Sequence, residues 1–342
     1  MTRLAWWEDI RTTHGDLPSA LAAASRRTRD VDEDVGVVPP LSLPRSAVDG
    51  GLLMETAAMG VTVGGPYLRS HSRGWEIAPG KTLDMRAFLG RRHELTDLVA
   101  EVMPGADRLM VHVTGPWTFG ASVEYHGHPL CFDRPAFRDV ALALGEGVRE
   151  FCDAVGASVV HVHERRFPEV TSRLEGATEF ETMSVDREIA VNVERRFLDQ
   201  VRGAGGDGAA GDDRGSGDEA AAGDDSARVI ALDAGCMYPD LVHTGADVLV
   251  ADALDDDVAR LIDGGSSVAW RVGGGRTSED IAHTVMRTWR QWTFDGASPE
   301  PQIDLVAVSG EGDADEAGVL SPNAAAELAR TVRGAAALLH RN

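Results

Sequence analysis

The sequence predicts an α/β chain folded as a single (β/α)8 TIM-type barrel, with an N-terminal extension and a disordered acidic insert, all in one domain over 1–342. Three observations predict it. Six short β-branched runs alternate with longer amphipathic stretches, the pattern of repeated strand–helix units. The 342 residues, 43% of them hydrophobic, are enough for one large barrel core plus its loops. No Gly-rich dinucleotide loop follows the early runs, which moves the choice between an open doubly wound sheet and a closed ring toward the ring.

The strands are read at 108–113 (RLMVHV), 158–162 (SVVHV), 229–232 (VIAL), 247–250 (DVLV), 267–272 (SVAWRV) and 303–308 (IDLVAV). Such unbroken apolar runs suit parallel strands covered on both faces. Helices are expected at 135–155, 186–201, 254–263, 278–293 and 322–340. In the last, Ala326, Leu328, Ala329, Val332, Ala335 and Leu338 recur at helical spacing. Thr277 and Ser278 ahead of Glu279 and Asp280 mark a helix start, and Ser321 and Asn323 are expected to cap the final helix. Gly273-Gly274-Gly275 reads as a tight βα turn, with a phosphate loop as the alternative. From 203 to 227 the chain is almost entirely Gly, Ala, Asp and Ser, a composition that cannot bury enough surface to fold. Trp6 and Trp7 are read as an anchor of the N-terminal segment on the barrel or as an oligomer contact.

Charge and cysteine usage narrow the function. With 33 Lys+Arg against 55 Asp+Glu the net charge is −22, which argues against nucleic acid and against anionic membrane surfaces. No apolar run is long enough to span a bilayer, and the first ten residues do not read as a signal peptide. Three cysteines without paired spacing exclude a disulfide framework and point to a reducing cytoplasm.

In a barrel the chemistry collects where strands end. Those ends carry Thr114-Gly115-Pro116-Trp117-Thr118, His163-Glu164, Asp233-Ala234-Gly235-Cys236, Asp252 and Ser309. His161 and His163 alternate on one strand and so share a face, where both could meet one metal of a hydrolase. The further ligands would then come from Asp233, His243 or Asp252. The alternative is a histidine pair hydrogen-bonded within the barrel wall. Cys236 with Asp252 offers a zinc site of only two ligands, whereas Cys131 and Cys152 read as inert thiols.

These rim segments resemble the catalytic barrel of cobalamin-independent methionine synthase, in the superfamily that includes uroporphyrinogen decarboxylase, and most closely its short single-barrel bacterial members. Thr114 to Thr118 looks like the family's Gly-Pro-aromatic-Thr segment, with Glu124 and the helix from Pro135 following it. Residues 39–44 (PPLSLP) are similar to the proline-rich strand near the start, and Gly15-Asp16-Leu17-Pro18 to a Gly-Ser-x-Pro turn with Asp16 in the serine's place. The family's Gln-x-Asp-Glu-Pro strand end reads His161-Val162-His163-Glu164-Arg165 here. Its zinc motif His-x-Cys reads Ala234-Gly235-Cys236, its zinc glutamate falls at Asp252, and its last Pro-x-Cys-Gly reads Pro322-Asn323-Ala324-Ala325.

The resemblance implies an S-methyltransferase that binds a homocysteine-type thiol and takes methyl from a folate-type donor, with zinc retained on Cys236 and Asp252 and two of four ligand positions lost. It implies substrate contacts from Glu164, His163, Trp117, Thr118 and Asp16, and it allows a second methionine-synthase-like polypeptide as partner. Core packing is the alternative role for Trp117, and a salt bridge with Arg165 or Arg166 the alternative for Glu164. A non-catalytic ligand- or partner-binding barrel and a metal-dependent hydrolase using His161 and His163 are the competing functions. Tetrapyrrole decarboxylation is disfavoured, because the N-terminal arginine motif expected for that chemistry is absent from the sequence.

Overall fold

The computed structural model describes residues 4–13, 16–29, 38–48, 50–103, 108–178, 180–203, 228–292, 302–309 and 318–341. Eight strands form one parallel sheet: β1 (Trp6–Asp9), β2 (Leu41–Ser42), β3 (Leu109–Thr114), β4 (Ala157–His163), β5 (Val229–Asp233), β6 (Val248–Ala251), β7 (Ser267–Val272) and β8 (Ile303–Val308). Their order runs β1-β8-β7-β6-β5-β4-β3-β2, so each strand lies beside its neighbour in sequence and only the β1–β2 seam lacks a ladder. A side chain bridges that seam: the Ser42 hydroxyl on β2 donates to the Glu8 carbonyl on β1 at 2.6 Å. The result is the nearly closed, helix-covered ring of a TIM-type barrel.

Alternation along the strands sorts the core into two bodies. Trp7, Met110, Val159, Val250, Ala269 and Val306 fill the inside of the ring, while Trp6, Val111, Val160, Leu232, Trp270 and Leu305 face the helices. The tryptophan pair read as an anchor is therefore the first barrel strand itself, one ring inside and one outside. Continuing the same alternation toward the strand ends puts Asp9, His112, His161, His163, Asp233 and Arg271 on the inner face, all of them buried. The inner positions of β1, β3, β4, β5 and β7 thus run from apolar residues within the ring to polar ones near its rim, whereas those of β6 and the end of β8 stay apolar.

The strands at 267–272 and 303–308 match the sequence reading, and the other four differ by one residue at one or both ends. Helices α5 (Arg134–Val155), α7 (Arg187–Arg202), α8 (Asp256–Asp263), α9 (Ser278–Trp292) and α10 (Pro322–Arg341) lie where periodicity places them. Asp133 caps α5 by accepting from the Ala136 N–H at 3.0 Å, and Gly156 ends it at φ 71°, a left-handed conformation that costs glycine little. Gly147 allows α5 to cross α2 (Gly51–Val61): a Cβ there would meet the Met59 carbonyl at 2.3 Å.

The sequence reading does not separate α1 (Leu17–Arg29), α2, α3 (Leu83–Val102) or the short α6 (Phe167–Ser172). It also leaves out a small four-stranded sheet of Tyr67–His71, Gly74–Ala78, Val123–Tyr125 and His128–Pro129. Residues 204–227, the bulk of the acidic insert, lie outside the described residues. No described helix is long and apolar enough to cross a membrane.

Candidate metal centre

Four polar side chains meet inside the ring. Asp9 ends β1, His112 lies on β3, and His161 and His163 lie on β4. The ladder sets His112 opposite His161 and Thr114 opposite His163. One ligand atom from each of the four lies within 4.8 Å of the others. Among the described residues this is the one group of three or more His, Cys, Asp or Glu donors close enough to share an ion. All four are at most 4% exposed, so their polar atoms need internal partners.

Three of the distances are informative. His112 Nδ1 and His163 Nε2 are 3.3 Å apart, and each lies 3.8 Å from Asp9 Oδ1. A triangle with those sides has its centre about 2.1 Å from every corner, which is the usual metal–nitrogen and metal–oxygen bond length. His112 also bonds to the Glu8 main chain. His161 differs. The Trp7 indole N–H donates to its Nδ1 at 3.3 Å, so the neutral ring carries its own proton on Nε2, a buried atom with no hydrogen-bond partner. The His161 Nδ1 is thus engaged by Trp7, while Asp9 Oδ1, His112 Nδ1 and His163 Nε2 are the three atoms that share the triangle.

Electrostatics keep this set ready to bind a cation. Burial pushes the imidazoles of His112 and His163 well below their ordinary range and His161 to about 4, so all three are neutral near pH 7. Burial, the largest effect, opposes ionisation of Asp9, but Arg45 together with the neighbouring His163, His161 and His112 outweighs it and holds the carboxyl well below the usual carboxylate range. Arg45 Nη2 sits 2.6 Å from Asp9 Oδ1, the same oxygen that borders the centre. Its other terminal nitrogen, Nη1, is buried without a hydrogen-bond partner. Arg45 and His112 also border a cavity of about 30 Å³ between the barrel wall and α2 and α3, room for a water molecule.

The remaining site residues read from the sequence fall into three places. Glu164 is fully buried and serves α4 (Pro116–Ser122): it accepts from the Trp117 N–H at 2.7 Å, the Thr118 N–H at 2.6 Å and the Thr118 hydroxyl at 2.7 Å. Arg165 forms ion pairs with Asp233 and Asp252, and Arg166 with Glu169. Trp117 packs in the core, stacked on Phe137 at 4.5 Å with its indole N–H bonded to the Ala190 carbonyl. Asp16 holds the first turn of α1 by accepting from the Ser19 N–H at 2.7 Å.

Asp252 is half-exposed and belongs to a charge network. Arg165 bridges it to Asp233 at 2.9 Å each, and Arg271 does the same at 3.1 and 3.3 Å. Cys236 lies in the loop after β5, with burial pushing its thiol up to about 12. Neither Cys236, Asp252, Asp233 nor His243 joins a group of three donors among the described residues.

The partners of the His161–His163 strand thus come from earlier strands rather than later ones. His112 was visible inside RLMVHV, where alternation sets it on the face of Met110 and Thr114. Asp9 was hidden, because WWED is too short to read as a strand. No family model matches this chain, and no curated protein matches it significantly.

Proposed function

We propose that the chain is a metal-dependent barrel enzyme of hydrolytic type, with a divalent transition metal held by Asp9, His112 and His163. The observation that carries this reading is the common point about 2.1 Å from Asp9 Oδ1, His112 Nδ1 and His163 Nε2. Two imidazoles and one carboxylate form an N/O donor set suited to zinc, iron or manganese. Three protein donors leave a position free, as catalytic sites require and structural sites do not.

A metal in such a set acts as a Lewis acid that makes bound water acidic near neutral pH. The protein's own residues do the rest. Arg45 helps to keep Asp9 ionised, and Trp7 fixes the ring of His161 by donating to its Nδ1. The thiol S-methyltransferase reading rests on the resemblance alone, since Cys236 and Asp252 stand apart from the donor group and the Cys236 thiol is hard to ionise.

Metal analysis of the purified protein tests the reading. The expected result is one transition metal per chain, lost in His112→Ala and His163→Ala and kept in Cys236→Ala, together with metal-dependent turnover of a panel of ester and amide substrates. Metal lost in Cys236→Ala but kept in His163→Ala would restore the methyltransferase reading. A metal-free wild-type protein that stays so after incubation with zinc or manganese would leave a non-catalytic barrel.

A further inference from the structure

We infer a second ligand site, for a single halide ion, in the small cavity between the barrel wall and helices α2 and α3. Arg45, Arg91, Arg92 and Glu55 line it, beside apolar walls that include Phe88, Leu95 and Phe151. Its volume of about 30 Å³ is the share of one water molecule in the liquid, so a monatomic ion fits where a larger oxyanion is crowded.

Unmet hydrogen-bond donors mark the site. The Arg45 side chain is only 4% exposed; its Nη2 pairs with Asp9, while its Nη1 is buried without a hydrogen-bond partner. Arg92 adds two more such atoms, Nε and Nη1. Buried guanidinium nitrogens without acceptors are costly, because each forgoes a charge-assisted bond. Acceptors in the lining are already engaged by other groups. Glu55 Oε1 accepts from Arg91 Nε at 2.9 Å and from the Ser46 N–H at 2.8 Å, and the Pro44 carbonyl accepts from Arg91 Nη2 at 3.3 Å.

Charge around the cavity is balanced among the described residues. Asp9 lies against Arg45, Glu55 against Arg91, and the exposed Glu150 on α5 acts on Arg92 without a close contact. The donors themselves select the ligand. A water molecule would bring two protons of its own to a lining whose unpartnered buried atoms are all donors. A halide accepts several N–H bonds and donates none. Bound there, it would satisfy the outer nitrogen of Arg45 and so fix the guanidinium that faces Asp9. It needs no cation at the metal centre, so the two sites stand or fall separately.

The chlorine NMR line width of metal-stripped protein in sodium chloride tests it. The expected result is a chloride line broadened by the protein, narrowed again by added sodium bromide and left broad by sodium acetate at the same ionic strength. Arg92→Ala should weaken chloride binding about tenfold, the cost of charge-assisted bonds. Arg92→Lys, which keeps the charge and loses the planar fork, should fall between that variant and wild type. Arg92 is half-buried on α3, and a cooperative melting transition verifies that each variant is folded. The broadening should persist in His163→Ala, which loses the metal centre. Absence of protein-dependent broadening overturns the site and leaves the cavity to water. Wild-type broadening in both Arg92 variants overturns it as well, and acetate competing as strongly as bromide overturns the halide assignment.

Discussion

Glu194, on α7, is fully buried, and neither of its oxygens has a donor directed at it. It sits against Glu164, whose oxygens already accept from Trp117 and Thr118. Burial first and Glu164 second push the Glu194 carboxyl well above its ordinary range; burial also raises Glu164, against its hydrogen bonds. Two carboxylates in contact without a counter-ion cannot both be charged. The proton rests on Glu194, and the charge on the carboxylate with the donors.

A carboxyl whose folded pKa exceeds its unfolded value adds stability that is complete at acid pH and is lost as pH rises through the folded value. The wild-type protein should therefore lose stability as pH rises from about 4.5, the ordinary glutamate value, through neutrality and above, at up to about 1.4 kcal/mol per pH unit from this group. Glu194→Gln keeps a donor for Glu164 and removes the titration. Urea unfolding across that range should show the variant with a flatter profile and a stability above wild type at the alkaline end. Parallel profiles would mean that the pair does not share a proton.

At the level of elements, Glu164 explains why Thr114 to Thr118 has its sequence. Pro116 starts α4, Gly115 precedes it, and the N–H groups of Trp117 and Thr118 turn toward the carboxylate, where the helix dipole also favours a negative charge. Gly115 is required by space rather than by φ, which is an ordinary −73°. A Cβ there would fall 2.4 Å from Glu164 Cγ and Oε1. Gly115→Ala should cost about 1–3 kcal/mol in chemical denaturation, the usual penalty of overpacking. Wild-type stability would show that Glu164 can withdraw and that the clamp on α4 is loose.

The segment that the family resemblance marks as a substrate contact is thus built around an internal carboxylate. Its motif was legible in the sequence, but the partner 46 residues away was not. The strands divide in the same way. β7 and β8 carry six apolar or alternating residues each and read cleanly, whereas β1 has four residues and β2 has two between prolines. Such short pieces have no period of their own and owe their strand geometry to their neighbours in the ring.

Over the whole molecule the ring itself assembles the candidate centre. Asp9 and His163 are 154 positions apart in sequence, and nothing local relates them. They meet because β1 closes next to β2, with Ser42 bridging the seam to Glu8, and because β3 and β4 run in register behind it. Alternation could reveal the His161–His163 face but not which strand would stand opposite. An ion bound by β1, β3 and β4 joins both sides of the one seam without a ladder, and it binds only the closed ring. Binding to the folded state alone raises stability by RT ln(1 + [metal]/Kd), about 2.7 kcal/mol at a hundredfold excess over Kd. Stripped wild-type protein should therefore melt several degrees higher when zinc or manganese is restored. Cys236→Ala should show the same rise, whereas Asp9→Asn should show a reduced one and His163→Ala none. Ser42→Ala should start from a lower melting temperature, for loss of a buried hydrogen bond worth about 1 kcal/mol, and should gain as much from the metal as wild type does. A rise that survives in His163→Ala would place the ion elsewhere.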